Sequence, residues 1–86
     1  MVRRSAFELS LAVLEVVRTP KILTHIMYQT NVNCSVLKPL IGDLMQKGLI
    51  TTVDKNRRIL RKHYVISQKG LDVLSTVRKA SELLQA

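Results

Sequence analysis

The chain has 86 residues, which is enough for one domain built around one modest hydrophobic core. Hydrophobic residues make up 47% of it, which excludes a disordered chain, yet no stretch approaches the roughly 18–20 apolar residues of a membrane-spanning helix. Fourteen Lys and Arg face six Asp and Glu, and the resulting net charge of +8 indicates a polyanionic partner, the alternative being a basic surface that only aids solubility.

The first predicted helix spans residues 5–17, where Ser5 and Glu8 form a capping-box pattern at its start. Its apolar residues divide between two faces: Phe7, Leu11 and Leu14 on one, and Leu9, Val13, Val16 and Val17 on the other. Because a surface helix normally buries only one face, we expect this helix to contact both its own core and something else.

The second predicted helix spans residues 20–29. Thr19 is expected to cap it, and Pro20 suits its first position, where the missing N–H would be unpaired in any case. The helix should end between Gln29 and Asn31, where the periodic pattern stops. Its apolar stripe consists of Ile22, Leu23, Ile26 and Met27.

The third predicted helix spans residues 34–47, with Asn33 as its N-cap and Gly48 as its stop signal. Pro39 is an anomaly, because a proline inside a helix removes a hydrogen bond and clashes one turn back. Either the helix is kinked there, or its regular part starts as late as Lys38. The stripe expected to face the core is Leu37, Leu40, Ile41 and Leu44.

The remaining residues predict a β-hairpin over 49–66 and a last helix over 68–85, capped by Ser67. Asp54 to Asn56 supply the turn. Within the last helix a short coiled-coil seam consists of Val73, Val77, Ala80 and Leu84. No linker or repeat separates these elements, so residues 1–86 are read as a single, mainly α (α+β) domain.

Several segments resemble a known family. The runs KILTHIMY (21–28), NVNCSVLK (31–38) and LMQKGLI (44–50) look like an archaeal winged helix-turn-helix domain, and YVISQKG (64–70) is similar to its hairpin-to-helix junction. These segments resemble in particular the small, basic archaeal DNA-binding chromatin proteins. The resemblance implies three helices, a two-stranded β-hairpin wing and a C-terminal dimerising helix, together with binding of double-stranded DNA.

The hairpin carries the strongest candidate site. Cations crowded on one hairpin repel one another unless phosphates neutralise them, and the Arg side chain binds phosphate in two places. The alternative is a charged edge strand protected against aggregation. The residues expected to contact DNA here are Lys55, Asn56, Arg57, Arg58, Arg61, Lys62 and His63.

The third helix is the predicted recognition helix. If its apolar stripe faces the core, Ser35, Lys38 and Gln46 face outward, toward base edges in the major groove. No Arg or Asn is placed for a bidentate base contact, and Asp43 near this face would be repelled by phosphate. We therefore expect weak sequence discrimination.

Catalysis is not expected. The acidic residues are scattered, and His25, His63 and Cys34 lack the spacing of metal ligands. No metal, cofactor or small-molecule substrate is predicted. A single cysteine allows no internal disulfide, and acidic residues interrupt the apolar stretch near the N-terminus, which argues against a signal peptide. The expected location is the cytoplasm, in association with the nucleoid.

A homodimer is expected because the first and last helices carry apolar stripes beyond what one small core requires. The interface residues predicted are Phe7, Leu11, Val73, Val77, Ala80 and Leu84. The alternative is a closed monomer in which the last helix folds back onto the first. For the whole protein, the alternative function is a winged-helix protein–protein interaction module within a transcription or replication assembly.

Overall fold

The computed structural model describes residues 5–53 and 62–85. Its elements are α1 (Ala6–Val16), α2 (Leu23–Thr30), α3 (Cys34–Gln46), β1 (Ile50–Val53), β2 (His63–Ile66) and α4 (Gln68–Gln85). Strands β1 and β2 pair antiparallel, with Ile50 opposite Ile66 and Val53 opposite His63. The predicted order of three helices, a hairpin and a further helix is confirmed.

The hydrophobic core lies where α1, α2 and α3 meet the sheet and the start of α4. Most of its side chains come from the apolar stripes that the sequence predicted, because residues at helical spacing share one face of a helix. The buried apolar residues are Val13, Leu14, Val17, Ile26, Leu37, Ile41, Leu44, Leu49, Ile50, Ile66 and Leu74.

The start of α2 differs from the prediction. The backbone N–H of Lys21 donates to the carbonyl oxygen of Tyr64 at 2.9 Å, and the N–H of Tyr64 donates to the carbonyl oxygen of Lys21 at 2.7 Å. Since Lys21 is thereby paired to β2 as an isolated bridge, the chain stays extended until Ile22 and the helix begins at Leu23. The prediction that Pro20 opens the helix and Thr19 caps it was wrong.

Helix α3 begins at Cys34, as predicted. The side-chain oxygen of Asn33 accepts a hydrogen bond from the N–H of Val36 at 3.3 Å, which caps the helix. The helix then continues through Pro39 to Gln46, so the alternative of a late start at Lys38 is excluded. Pro39 has no N–H, and the carbonyl of Ser35 therefore receives no helical hydrogen bond from it.

The end of α3 is fixed by Gly48, which adopts a left-handed conformation with φ 74°. The N–H of Gly48 donates to the carbonyl of Met45, and that of Leu49 donates to the carbonyl of Leu44. This pair of bonds is a Schellman motif, in which glycine is favoured because it has no Cβ. The predicted stop signal is confirmed, and it directs the chain into β1.

Helix α4 is tied to the α3–β1 junction at its start. The hydroxyl of Ser67 donates to the carbonyl of Gly48 at 2.6 Å and accepts from the N–H of Gly70 at 3.1 Å. The predicted cap by Ser67 is confirmed. Farther along α4, the guanidinium of Arg78 lies 3.2 Å from the carboxylate of Glu15 on α1.

None of the helices in the described ranges combines the length and apolar character that a membrane crossing requires.

Candidate nucleic-acid interface

Helix α3 presents a polar face to solvent. Leu37, Ile41 and Leu44 are buried on one side, so the 3.6-residue period turns the opposite side outward. Ser35, Lys38, Gln46, Pro39 and Gly42 are exposed on it. The three polar side chains predicted for base contact are therefore accessible together on one helix face.

The surface at Gly42, in the middle of this face, is open. A Cβ atom built on Gly42 would have no atom within 4 Å, so the interior of the fold does not require a glycine there. Glycine inside a helix costs about 0.5–1 kcal/mol relative to alanine. The open surface at Gly42 leaves room for another molecule to approach the helix backbone closely.

Asp43 is less of an obstacle to a polyanion than the sequence implied. Its carboxylate lies 3.3 Å from the ammonium group of Lys47, one helical turn later. The side chain also lines a groove of about 650 Å³ between α3 and the start of α1, where Ala6 and Leu9 contribute. The ion pair offsets the acidic charge locally, although both partners are exposed and the pair contributes little to stability.

Two of the residues predicted to contact DNA lie at the base of the hairpin. Lys62 is exposed immediately before β2, and His63 is half-buried within that strand, opposite Val53. The other five predicted hairpin residues lie outside the described ranges; they are Lys55, Asn56, Arg57, Arg58 and Arg61.

Sequence reasoning assigned no role to Tyr28, on the outer face of α2. Its side chain is 81% exposed, while Ile26 on the same helix is fully buried. Helical periodicity alone places Tyr28 opposite the apolar stripe of α2, which predicts an exposed aromatic side chain.

Two depressions flank Tyr28. The larger, of about 740 Å³, lies between α2 and β2 and is lined by His25, Lys62 and Tyr64 among others. The smaller, of about 400 Å³, lies along the α2–α3 turn and includes Asn33, the N-cap of α3. No carboxylate from the described residues lines either one.

Within residues 5–53 and 62–85, no group of three or more His, Cys, Asp and Glu side chains is arranged to hold a metal ion.

The six residues predicted for a dimer interface have different environments. Leu11 and Val73 pack against the core of their own chain, and Val77 lines a groove of about 450 Å³ between α1 and α4. Phe7 and Leu84 are 62% and 88% exposed, and Ala80 is exposed beside them on α4. The first half of α4 therefore packs on α1, whereas its last turns leave apolar side chains in solvent.

Known structures share this fold. Sso10a-2, a DNA-binding protein from Sulfolobus solfataricus, is 20% identical over 95% of this chain and 83% of its own, with a TM-score of 0.78. A PadR family transcription regulator from Clostridium difficile R20291 is 14% identical over 90% of both chains, with a TM-score of 0.79. A PadR family transcriptional regulator from Eggerthella lenta is 26% identical over 88% of this chain and 73% of its own, with a TM-score of 0.75.

No curated protein sequence matches the chain. The sequence profile described as winged helix-turn-helix matches residues 3–85. The predicted winged-helix fold is confirmed, as is the resemblance to archaeal winged-helix proteins. The chain belongs to the winged helix-turn-helix family.

Proposed function

We propose that this protein binds double-stranded DNA, with α3 entering the major groove and the hairpin lying along the phosphate backbone. The observation that carries the proposal is the exposed α3 face, on which Ser35, Lys38 and Gln46 lie together around the open surface at Gly42. Support comes from the net charge of +8 and from similar folds described as a DNA-binding protein and as transcription regulators.

The proposed binding discriminates weakly between sequences. Bidentate base contacts pair Arg or Lys with guanine and Asn or Gln with adenine. The exposed α3 face offers one residue of each kind, Lys38 and Gln46, and no Arg or Asn. The role that follows is chromosome organisation or transcriptional control on the nucleoid. The proposal involves no catalytic step and no cofactor.

The test of this function is the salt dependence of binding, measured by fluorescence anisotropy with two labelled duplexes of unrelated sequence. If each protomer neutralises four to six phosphates, the plot of log K against log salt should slope by roughly −4 to −5 per protomer. The two duplexes should differ in affinity by far less than the roughly thousandfold ratio of a committed operator binder. A flat salt dependence on both duplexes would contradict backbone binding.

We further propose a homodimer formed through the first and last helices. Leu83 and Leu84 are 79% and 88% exposed at the end of α4, and Phe7 is 62% exposed at the start of α1. A second copy, related by a two-fold axis, would cover these side chains, and two-fold dimers are the commonest oligomers of soluble proteins. The dimer would also place two hairpins on one duplex, which raises the avidity for DNA.

Sedimentation equilibrium at micromolar concentration tests the dimer. We expect a species of twice the 9.8 kDa chain mass, and Leu84→Asp should return it to the monomer because a charge is then buried without a partner. Leu84 is a cleaner probe than Val77, which is half-buried beside α1. The control Ser75→Asp places the same charge at an exposed position of α4 and should remain dimeric. A wild-type protein that sediments at 9.8 kDa would exclude the dimer.

A further inference from the structure

Tyr28 is an exposed aromatic side chain that the fold does not use. It is 81% exposed, whereas Tyr64, the other tyrosine of the chain, is half-buried in β2. Burying an aromatic ring is one of the largest apolar contributions available to a small protein. The ring of Tyr28 makes no such contribution to its own core, so its apolar surface is available to a partner.

The position of Tyr28 connects two parts of the proposed DNA interface. Tyr28 and Thr24 line both depressions on the outer face of α2, so they form the ridge between them. One depression reaches Asn33 at the start of α3, and the other reaches Lys62 at the base of the hairpin. The two depressions together therefore extend across α2 from the N-cap of α3 to the residue that precedes β2.

The charge of this surface identifies the chemistry of its partner. Lys62 contributes a cation and His25 an imidazole, while no carboxylate from the described residues lines either depression. Thr24 and Tyr28 add hydroxyl groups that can donate hydrogen bonds. Hydroxyl donors beside a cation, with an apolar ring between them, fit a phosphodiester chain, whose phosphate oxygens accept hydrogen bonds and whose sugars offer apolar surface.

We propose that Tyr28 contacts the DNA backbone, with its hydroxyl donating to a phosphate and its ring packing on a sugar, between the contacts of α3 and those of the hairpin. Lys62 and His25 line the same backbone path. This inference rests on the proposed function and adds Tyr28 as a further contact residue of that interface.

The test compares three variants by anisotropy on the same labelled duplex at fixed salt. Tyr28→Glu should weaken binding by at least about tenfold, because a carboxylate then faces phosphate and a hydrogen bond to a charged group is lost. Tyr28→Phe keeps the ring and should weaken binding by about threefold to tenfold. The control Ser75→Glu adds the same charge at an exposed site on α4, and its affinity should stay within about twofold of wild type.

Nitration with tetranitromethane, read by mass spectrometry, provides a second measurement on the wild-type protein. Free Tyr28 should be modified readily because its side chain is exposed, and a saturating duplex should protect it. If wild type binds DNA but Tyr28→Glu matches Ser75→Glu and nitration is unchanged by duplex, this inference fails while the proposed function stands. If wild type does not bind duplex DNA at all, both fail.

Discussion

Replacing Gly70 with alanine is expected to destabilise the protein by about 1–3 kcal/mol, the usual cost of forcing extra atoms into a packed site. A Cβ atom at Gly70 would lie 2.5 Å from Cγ1 of Ile66 and 2.5 Å from the carbonyl oxygen of Leu49. The oxygen belongs to the backbone that joins α3 to β1, and the N–H of Ser67 donates to it at 2.9 Å. It cannot move aside without disturbing that junction.

Thermal unfolding followed by circular dichroism measures this effect. A destabilisation of 1 kcal/mol shifts the midpoint of a domain of this size by about 4–8 °C. Gly42→Ala is the matched control, because its Cβ would have no atom within 4 Å and alanine is the better helix former. We expect Gly42→Ala to raise stability by about 0.5–1 kcal/mol. An unchanged or higher midpoint for Gly70→Ala would contradict the close packing of Ile66 and the Leu49 carbonyl against Gly70.

The largest expected effect on function follows from replacing Arg57, Arg58 and Arg61 together with alanine. If each contributes on the order of 1 kcal/mol through a charge-assisted bond to phosphate, the triple variant should lose roughly 100-fold in affinity. The loss should be similar for all duplex sequences, because phosphate contacts carry no sequence information. The salt slope should become shallower by roughly one per lost contact.

A control separates local contact from general charge. The double variant Ser75→Glu and Lys79→Glu also lowers the net charge by three, at exposed positions of α4. It should change affinity far less than the triple arginine variant, because screening limits the reach of surface charge to about 10 Å at 0.1 M salt. Circular dichroism should confirm that both variants are folded. Equal losses in the two variants would mean that the hairpin arginines act only through net charge.

The sequence by itself determined the features that depend only on residues close together in the chain. The cap at Ser5, whose side chain accepts from the N–H of Glu8, and the cap at Asn33 were both predicted from local patterns. The stop at Gly48 was predicted in the same way. These features depend on backbone groups at helix ends, whose partners are supplied by neighbouring side chains or by the backbone itself. The apolar stripes of the helices were readable for the same reason, since a helix repeats over a short distance.

Only the tertiary structure decided where distant segments meet. Lys21 pairs with Tyr64, and this pairing, rather than the local signal of Thr19 and Pro20, sets the start of α2. The surface around Tyr28 likewise requires α2 to lie beside Lys62 of the hairpin, which is far away along the chain. Backbone hydrogen bonds between strands and depressions between elements join residues with no fixed spacing in sequence. Periodicity and capping rules describe one element at a time, so they could not predict the Lys21–Tyr64 pairing or the depression between α2 and Lys62.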